Sequence, residues 1–532
     1  MTTRAPATLT AMLAASAAAG NGAGIHYEGQ TVTYRDLEAE SKRIAAGLAA
    51  LGIGVGDRVA FWLPNTPAYL TLYFACARLG AITVAVNTRF RASEVEDVLG
   101  RTGAKALIMW PGFRGIDFPG ILEEVDRAAL ARLETAILYS EQEETIPPLP
   151  GVGRTVTYHS LLEHGSYGDD KATPELGCNT FTTSGTTKAP KFVLHAHASM
   201  ALHAADVAQD FGYADPSTVV QQDMPLCGVF GITGVLAAIA AARPLVLTSA
   251  FDAERTAALM ARHKVTHFDG SDEMIDRLLR VTDRDDIFER IGFAGYAIFN
   301  SYLDDIVERA ERRGLFAVGL WGMSEMQALV SRRDRGDRAE MRKKGGGRLV
   351  SPRAEARVRD PETGALCPDG VAGELEICGP SRMTEYFGNS DATIEALTED
   401  GFVRTGDLAQ MEPGGGFEYL TRMGDVLRLG GFLVSPAEIE AEVQAHPSVG
   451  GVQVVSAPIG GADRAVAFVI PVDAGVFDPA AVQSHCAARL AKYKVPAHVV
   501  ALDAFPVTES ANGVKIQRTK LRQMAIETVA NR

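Results

Sequence analysis

The chain has 532 residues, more than one compact unit holds at roughly 150 residues per domain. Hydrophobic residues at 46% and charged residues at 22% match ordinary globular chains and exclude disordered, collagen-like and membrane-embedded classes. With 52 Lys plus Arg against 66 Asp plus Glu, the formal charge of -14 repels polyanions and disfavours nucleic acid as a partner.

Near the start, the Ala-dominated stretch from Leu9 to Gly20 is too weakly apolar for a secretory leader. Leu37, Ile44, Leu48 and Leu51 share one face of a helix predicted over 34–51, and Asp57 to Leu63 reads as a short buried strand. The GIGVGD run at 52–57 precedes that strand instead of following one, so it is not a dinucleotide fingerprint. Thr66 and Pro67 predict the start of a helix to Gly80, with a second strand over Ala81 to Val86. Ser93 with Glu96 predicts a capping box, opening a helix that ends near Gly103 before a strand over Lys105 to Trp110. This alternation predicts a parallel sheet covered by helices.

Three prolines in Glu141 to Pro150 predict a surface linker, after which the alternation resumes near residue 176. The most apolar internal stretch, Val235 to Leu247, contains Arg243 and Pro244 and is shorter than the roughly 18 apolar residues of a spanning helix, so no membrane span is expected. His263 and His267 lack the glutamate of a zinc-protease helix and fall at a helix-to-strand junction. Seven basic and three acidic residues between Arg332 and Gly347, closed by three glycines, predict a solvated loop. Short strands between Gly and Pro turns predict a small β subdomain over about 348–424. Ser435 and Glu438 around Pro436 predict another capping box, heading a C-terminal α+β unit over 425–532. That unit carries 10 basic and 10 acidic residues, so residues 1–424 hold the whole charge deficit. Six cysteines without a C-x-x-C pair suit neither a disulfide framework nor zinc and suggest a reducing, cytoplasmic setting.

Phe181 to Lys191 reads FTTSGTTKAPK: hydroxyls and amides on a Gly turn can wrap a polyphosphate, and Lys191 adds a point charge. It is not the Walker pattern, and alone it is as compatible with a plain Ser/Thr-rich turn. LWGMSEMQ at 320–327, RTGDL at 404–408, RMGDVLRLGGFLVSPAEIE at 422–440 and GVKIQR at 513–518 follow in order. Together with LGIGVGDRVAFWLPN at 51–65 and KYKVP at 492–496, these segments resemble the adenylate-forming superfamily of acyl-CoA synthetases, nonribosomal adenylation domains and luciferases.

The resemblance implies a large N-terminal domain over 1–424, built of α/β layers and the β subdomain, with a mobile C-terminal lid over 425–532. It implies ATP, Mg²⁺ and coenzyme A, with Thr183, Ser184, Gly185, Thr186, Thr187 and Lys191 on the β and γ phosphates. Glu325 would ligate Mg²⁺, Ser324 would bond the α phosphate, and Trp321, standing where the family usually has Tyr, would stack on adenine. Gly295, Tyr296 and Ala297 would border the adenine, Asp407 would accept the ribose hydroxyls beside Arg422, and Lys515 would cover the α phosphate while a carboxylate attacks it. The bland reading of Lys515 is a solvated basic tail with Arg518, Lys520 and Arg522. Gly424 would be the hinge, Gly430 and Gly431 would line a pantetheine tunnel, and Gly228, Phe230, Gly231, Val235, Met274 and Met326 would border an acyl pocket.

Departures from the family are Lys188 and Phe192 for glycines, the extra Val514 before Lys515, Gly424 where Asp or Lys is usual, and Gly228 where many relatives carry His. The expected activity is ligation of a carboxylic acid to coenzyme A through an acyl adenylate. A separate acyl carrier protein as acceptor, an amino-acid adenylating enzyme and a catalytically idle acyl or nucleotide binder are the alternatives.

Overall fold

The structure, a computed structural model, describes residues 6–20, 22–141, 149, 151–183, 190–298, 303–429, 432–459, 462–490, 492–510 and 513–530. The predicted alternation forms as a parallel sheet whose order is Arg154–Thr157, Thr135–Leu138, Ala106–Met109, Arg58–Trp62, Ile82–Ala85 and Gly177–Thr182. Phe192–Ala196 and Glu385–Tyr386 extend it antiparallel. The Thr66 hydroxyl accepts from Tyr69 N, and Pro67 opens the helix Pro67–Leu79, as Thr-Pro at a helix start should.

A second sheet holds the parallel strands Leu245–Leu247, Val220–Gln222, His267–Ser271, Phe293–Ala297 and Ala317–Met323. It then turns antiparallel through Gln327–Arg332, Gly346–Leu349, Phe417–Arg422, Val403–Met411, Gly373–Cys378 and Glu355–Arg359. The β subdomain is therefore continuous with this sheet. The helices Tyr34–Ala50, Pro67–Leu79, His197–Asp210 and Val229–Ala240 share one apolar core with both sheets, which is why the last of them is apolar all round.

The Arg332 to Gly347 segment is not the solvated loop its charges predict. Arg333 and Arg342 are buried: Arg333 forms a 2.7 Å ion pair with Glu412, and Arg342 bonds Ala317 O and Asp337 O and pairs with Glu311. Gly346 and Gly347 lie in a strand at φ 96° and 90°, where a Cβ would come within 2.2 Å of Phe417 O and Arg332 O. Both positions thus require glycine.

Two predicted caps differ. The helix Ala92–Thr102 begins before Ser93, with Glu94 accepting from Arg91 N at 2.8 Å. Ser435 precedes the helix Pro436–Gln444, but its hydroxyl donates to Leu420 O of the strand Phe417–Arg422 instead of capping. Most of the predicted linker at 141–150 lies outside the described residues.

The small C-terminal domain pairs Val449–Ile459 with Ala462–Pro471 and adds His498–Ala501. Alternation decides its two cores: Val452, Val454, Ala465 and Ala467 pack with Val482 and Cys486, while Val455, Val466 and Phe468 pack with Leu521 and Ala525 of the helix Arg518–Ala530. Among the described residues no helix is long and apolar enough to cross a membrane, and all six cysteines are free.

Candidate nucleotide and acyl site

The site forms where the two sheets come together. Gly177–Thr182 and Phe192–Ala196 are antiparallel neighbours, and beyond their last pair Thr183 N donates to Lys191 O at 2.9 Å while Lys191 N donates to Thr183 Oγ1 at 3.1 Å. These bonds close the base of the loop that carries Ser184, Gly185, Thr186 and Thr187. The loop itself, 184–189, lies outside the described residues.

The turn Ser324–Met326 joins Ala317–Met323 to Gln327–Arg332 and is bonded to the strand Phe192–Ala196 through His195. The turn needs unusual backbone: Gln327 and Leu329 sit at φ 65° and 60°, which side-chain-bearing residues rarely adopt. It is held from several sides. His195 Nε2 donates to Ser324 O at 2.7 Å, His203 Nε2 donates to Ala328 O at 2.7 Å, and the Gln327 amide donates to Ser199 O and Ser381 O. Burial lowers the pKa of His195 to about 4, so it is neutral near pH 7 and donates from one nitrogen.

Glu325 is buried. The Tyr386 hydroxyl donates to its Oε1 at 2.6 Å, and its main-chain carbonyl accepts from Met383 N. Among the described residues its Oε2 has no protein partner. A buried carboxylate with one oxygen held and the other open fits a hard divalent cation such as Mg²⁺.

Asp407 and Arg422 face each other across paired strands, with Arg422 Nη1 2.9 Å from Asp407 Oδ1. The Trp321 indole N–H donates to Asp407 Oδ2 at 3.0 Å. Burial raises the Asp407 pKa to about 6, opposed by the Arg422 charge and the Trp321 bond. Trp321 itself packs into the β-subdomain core, edge-on to Phe417 at 5.4 Å. Its indole therefore serves both as a core side chain and as a donor to Asp407.

Gly295, Tyr296 and Ala297 end the strand beside Ala317–Met323; a Cβ on Gly295 would lie 2.5 Å from Asp269 Oδ1. Of the residues expected around the acyl group, Phe230, Val235 and Met274 belong to the main core, whereas Met326 is buried in the β-subdomain cluster with Trp321. Gly231 does not open space: a Cβ there would lie 2.3 Å from Pro225 O, so the glycine permits close packing of helix on turn. Gly234 is likewise filled from outside, by the Gln222 amide. Gly228 remains, as the residue preceding the helix Val229–Ala240.

In the C-terminal domain, Lys515 lies on the strand Gly513–Ile516, paired with Thr508, and its side chain is outside the described residues, as are Gly430 and Gly431. Of the neighbouring basic residues Lys520 is exposed, but Arg518 pairs with buried Glu440 at 2.9 Å, and Arg522 bonds Gly424 O at 2.6 Å and Asp425 at 3.1 Å. Of the two histidines set aside in the sequence, His263 stacks on His26, and His267 bonds Phe211 O and Thr266.

The chain matches the AMP-binding enzyme family over residues 13–387 and the AMP-binding enzyme C-terminal domain over 438–512. It belongs to the AMP-binding enzymes. Among curated members it is 29% identical over 519 residues to the putative acyl-CoA synthetase YngI of Bacillus subtilis, covering 93% of this chain and 92% of that one. It is 30% identical over 498 residues to a feruloyl-CoA synthase of an Amycolatopsis species, covering 92% and 94%. The fold matches ATP-bound MatB from Rhodopseudomonas palustris with a TM-score of 0.82 at 23% identity, over 98% of this chain and 99% of that one. The protein is thus an AMP-forming enzyme of the acyl-CoA synthetase and ligase group.

Tyr386 and His195 were not singled out in the sequence. Each is an ordinary residue in an ordinary strand pattern, and only the pairing of strands far apart in the chain brings it to the turn.

Proposed function

We propose that the enzyme joins an apolar medium-chain or aryl monocarboxylate to coenzyme A. The observation that carries the proposal is the meeting of Lys191, Glu325, Tyr386, Trp321, Asp407 and Arg422 at one junction of two sheets. ATP is a tetra-anion, so within an acidic domain it needs local cations: Lys191 at the loop base, Arg422 beside Asp407 and Lys515 from the lid. Glu325 would hold Mg²⁺, whose charge would offset that of the departing pyrophosphate. The acid's carboxylate attacks the α phosphorus, the bond to pyrophosphate breaks, and Ser324 and Lys515 stabilise the charge on the phosphoryl oxygens. The lid then turns about Gly424, and the coenzyme A thiol, passing along Gly430 and Gly431, displaces AMP. An acyl carrier protein carrying the same pantetheine arm is the second acceptor considered.

Asp407 accepts best from ribose when ionised. With a pKa of about 6, it is ionised at pH 7.5 and gains its proton as pH falls through 6. The acceptor strength is thus present above pH 6 and lost below it. Charged acceptors exceed neutral ones by about 1 kcal/mol, a factor of about five for full protonation, so adenosine affinity should fall about 2.5-fold between pH 7.5 and 5.5, where about three-quarters of Asp407 is protonated. In Asp407→Asn, affinity should be lower at pH 7.5 and independent of pH; calorimetry with adenosine, which does not titrate in this window, checks both.

The acid preference rests on the apolar side chains Phe230 and Met274 of the main core, and on similarity to an enzyme named as a feruloyl-CoA synthase. Each added methylene contributes about 0.8 kcal/mol until the pocket fills. Turnover should therefore rise from acetate to hexanoate or benzoate, and Gly228→Trp should shift the optimum to shorter acids. Arg89 lies close enough to Cys227 for its charge to oppose the upward shift of that thiol's pKa, so dicarboxylates belong in the panel. A pyrophosphate-release panel with and without coenzyme A tests acid and acceptor together. Better turnover of acetate or malonate than of hexanoate would overturn the acid, and pyrophosphate without a coenzyme A-dependent product would favour the carrier.

A further inference from the structure

We propose that Tyr386 is a positioning residue shared by the metal carboxylate and the phosphate lysine: its hydroxyl orients Glu325 while its ring seats Lys191. This rests on the roles proposed above for those two residues.

The contacts are independent of each other. The Tyr386 hydroxyl donates to Glu325 Oε1 at 2.6 Å, which fixes the carboxylate's rotation and leaves Oε2 as the open oxygen. The Lys191 ammonium lies 4.3 Å from the Tyr386 ring centroid, over its negative face. One side chain thus sets the distance between an anion that would take a cation and a cation that would take an anion.

The ring is built into place. Tyr386 pairs with Val193 in the sheet, Phe387 N donates to Phe192 O at 2.8 Å, and Tyr386 N donates to Thr393 Oγ1 at 3.0 Å. Its ring packs with Val193, Met383 and Ala392 and is 5% exposed. Met383 N donates to Glu325 O at 2.7 Å, so the segment that carries the tyrosine also holds the Glu325 main chain. The strand that follows Lys191 and the turn that bears Glu325 are therefore tied through residues 383–387. Burial and the neighbouring carboxylate both push the phenol pKa upward, so the hydroxyl remains a donor throughout the working pH range.

The two roles separate by substitution, because Tyr386→Phe removes only the hydroxyl and Tyr386→Leu removes hydroxyl and ring. The readout is calorimetric binding of ATP to the full chain, first with EDTA and then across a Mg²⁺ titration. Losing a partner that orients a metal ligand weakens metal affinity by about 10- to 100-fold. Tyr386→Phe should therefore raise the Mg²⁺ concentration needed for half-maximal tightening of ATP by about tenfold or more, and leave ATP affinity in EDTA within about twofold. Tyr386→Leu should show the same Mg²⁺ shift and, in addition, weaken ATP in EDTA by about three- to tenfold.

Glu325→Gln and Lys191→Ala separate the proposal from the reading beneath it. If Glu325→Gln leaves the Mg²⁺ titration unchanged, or Lys191→Ala leaves ATP affinity in EDTA unchanged, the assigned role of that residue fails and the proposal falls with it. If both controls behave as assigned while Tyr386→Phe titrates like the unmodified enzyme, the proposal alone is overturned. A merely structural tyrosine would lower the melting temperature of both variants with unchanged ATP and Mg²⁺ titrations of the folded protein, which also overturns it.

Discussion

Lys515→Ala is expected to lose most acyl-adenylate formation while still converting a supplied acyl adenylate to thioester. In the first step a carboxylate approaches a phosphate, and both are anions; removing a preorganised cation from such a transition state costs about 10²–10³ in rate. In the second step a thiol attacks the acyl carbon of a mixed anhydride, the bond from that carbon to AMP breaks, and no second anion has to be brought up to the phosphate. Two of the surrounding basic residues offer no substitute. Arg518 is committed to Glu440, and Arg522 to Asp425 and the Gly424 carbonyl, so neither is free to reach a phosphate without breaking an ion pair. The hairpin of Val507–Ser510 with Gly513–Ile516 carries Lys515 on a two-stranded element, apart from the three-stranded sheet of the domain core. Pyrophosphate release and thioester formation from synthetic acyl adenylate, measured separately, decide the matter. Equal loss of both steps would remove Lys515 from its assigned role.

What the sequence made legible follows from range. Helices and parallel strands of the first third are local: Leu37, Ile44 and Leu48 declare their face within one segment, and the helix Tyr34–Ala50 buries all three. The site strings are local too, because Trp321 to Glu325 or Thr405 to Asp407 are runs of a few residues. Relations between strings are not. The bond from Tyr386 to Glu325 spans 61 positions and that from Trp321 to Asp407 spans 86, and neither partner signals the other. Arg342 looks like one charge among seven in a loop, yet its guanidinium is buried where Ala317 O, Asp337 O and Glu311 converge. Gly231 and Gly234 show the same limit in reverse. Neither glycine leaves open space, because a main-chain carbonyl and a glutamine amide from other segments occupy it.

Gly424→Pro is expected to spare adenylation and slow thioester formation by at least about tenfold, as locking a hinge should when one step needs the rotated lid. The structure indicates where the chain can turn. Arg522, on the last helix, holds the Gly424 carbonyl at 2.6 Å and the Asp425 carboxylate at 3.1 Å. Everything beyond the Gly424 α carbon is therefore fastened to the C-terminal domain. On the other side, Arg422 is fastened to the N-terminal domain by its ion pair with Asp407 and its 2.9 Å bond to Thr405 O. Between these anchors both the N–Cα and the Cα–C bonds of Gly424 can rotate without breaking the Arg522 contacts, because the carbonyl oxygen turns with the domain that holds Arg522. Proline locks φ near -65°, which is the rotation about N–Cα. Gly424→Ala is the control: a Cβ there meets no atom within 4 Å, so alanine narrows the rotation without a clash and should retain most thioester formation. Stopped-flow measurement of the two half-reactions on both variants tests the assignment. Thioester formation at the normal rate in Gly424→Pro would place the pivot at another bond.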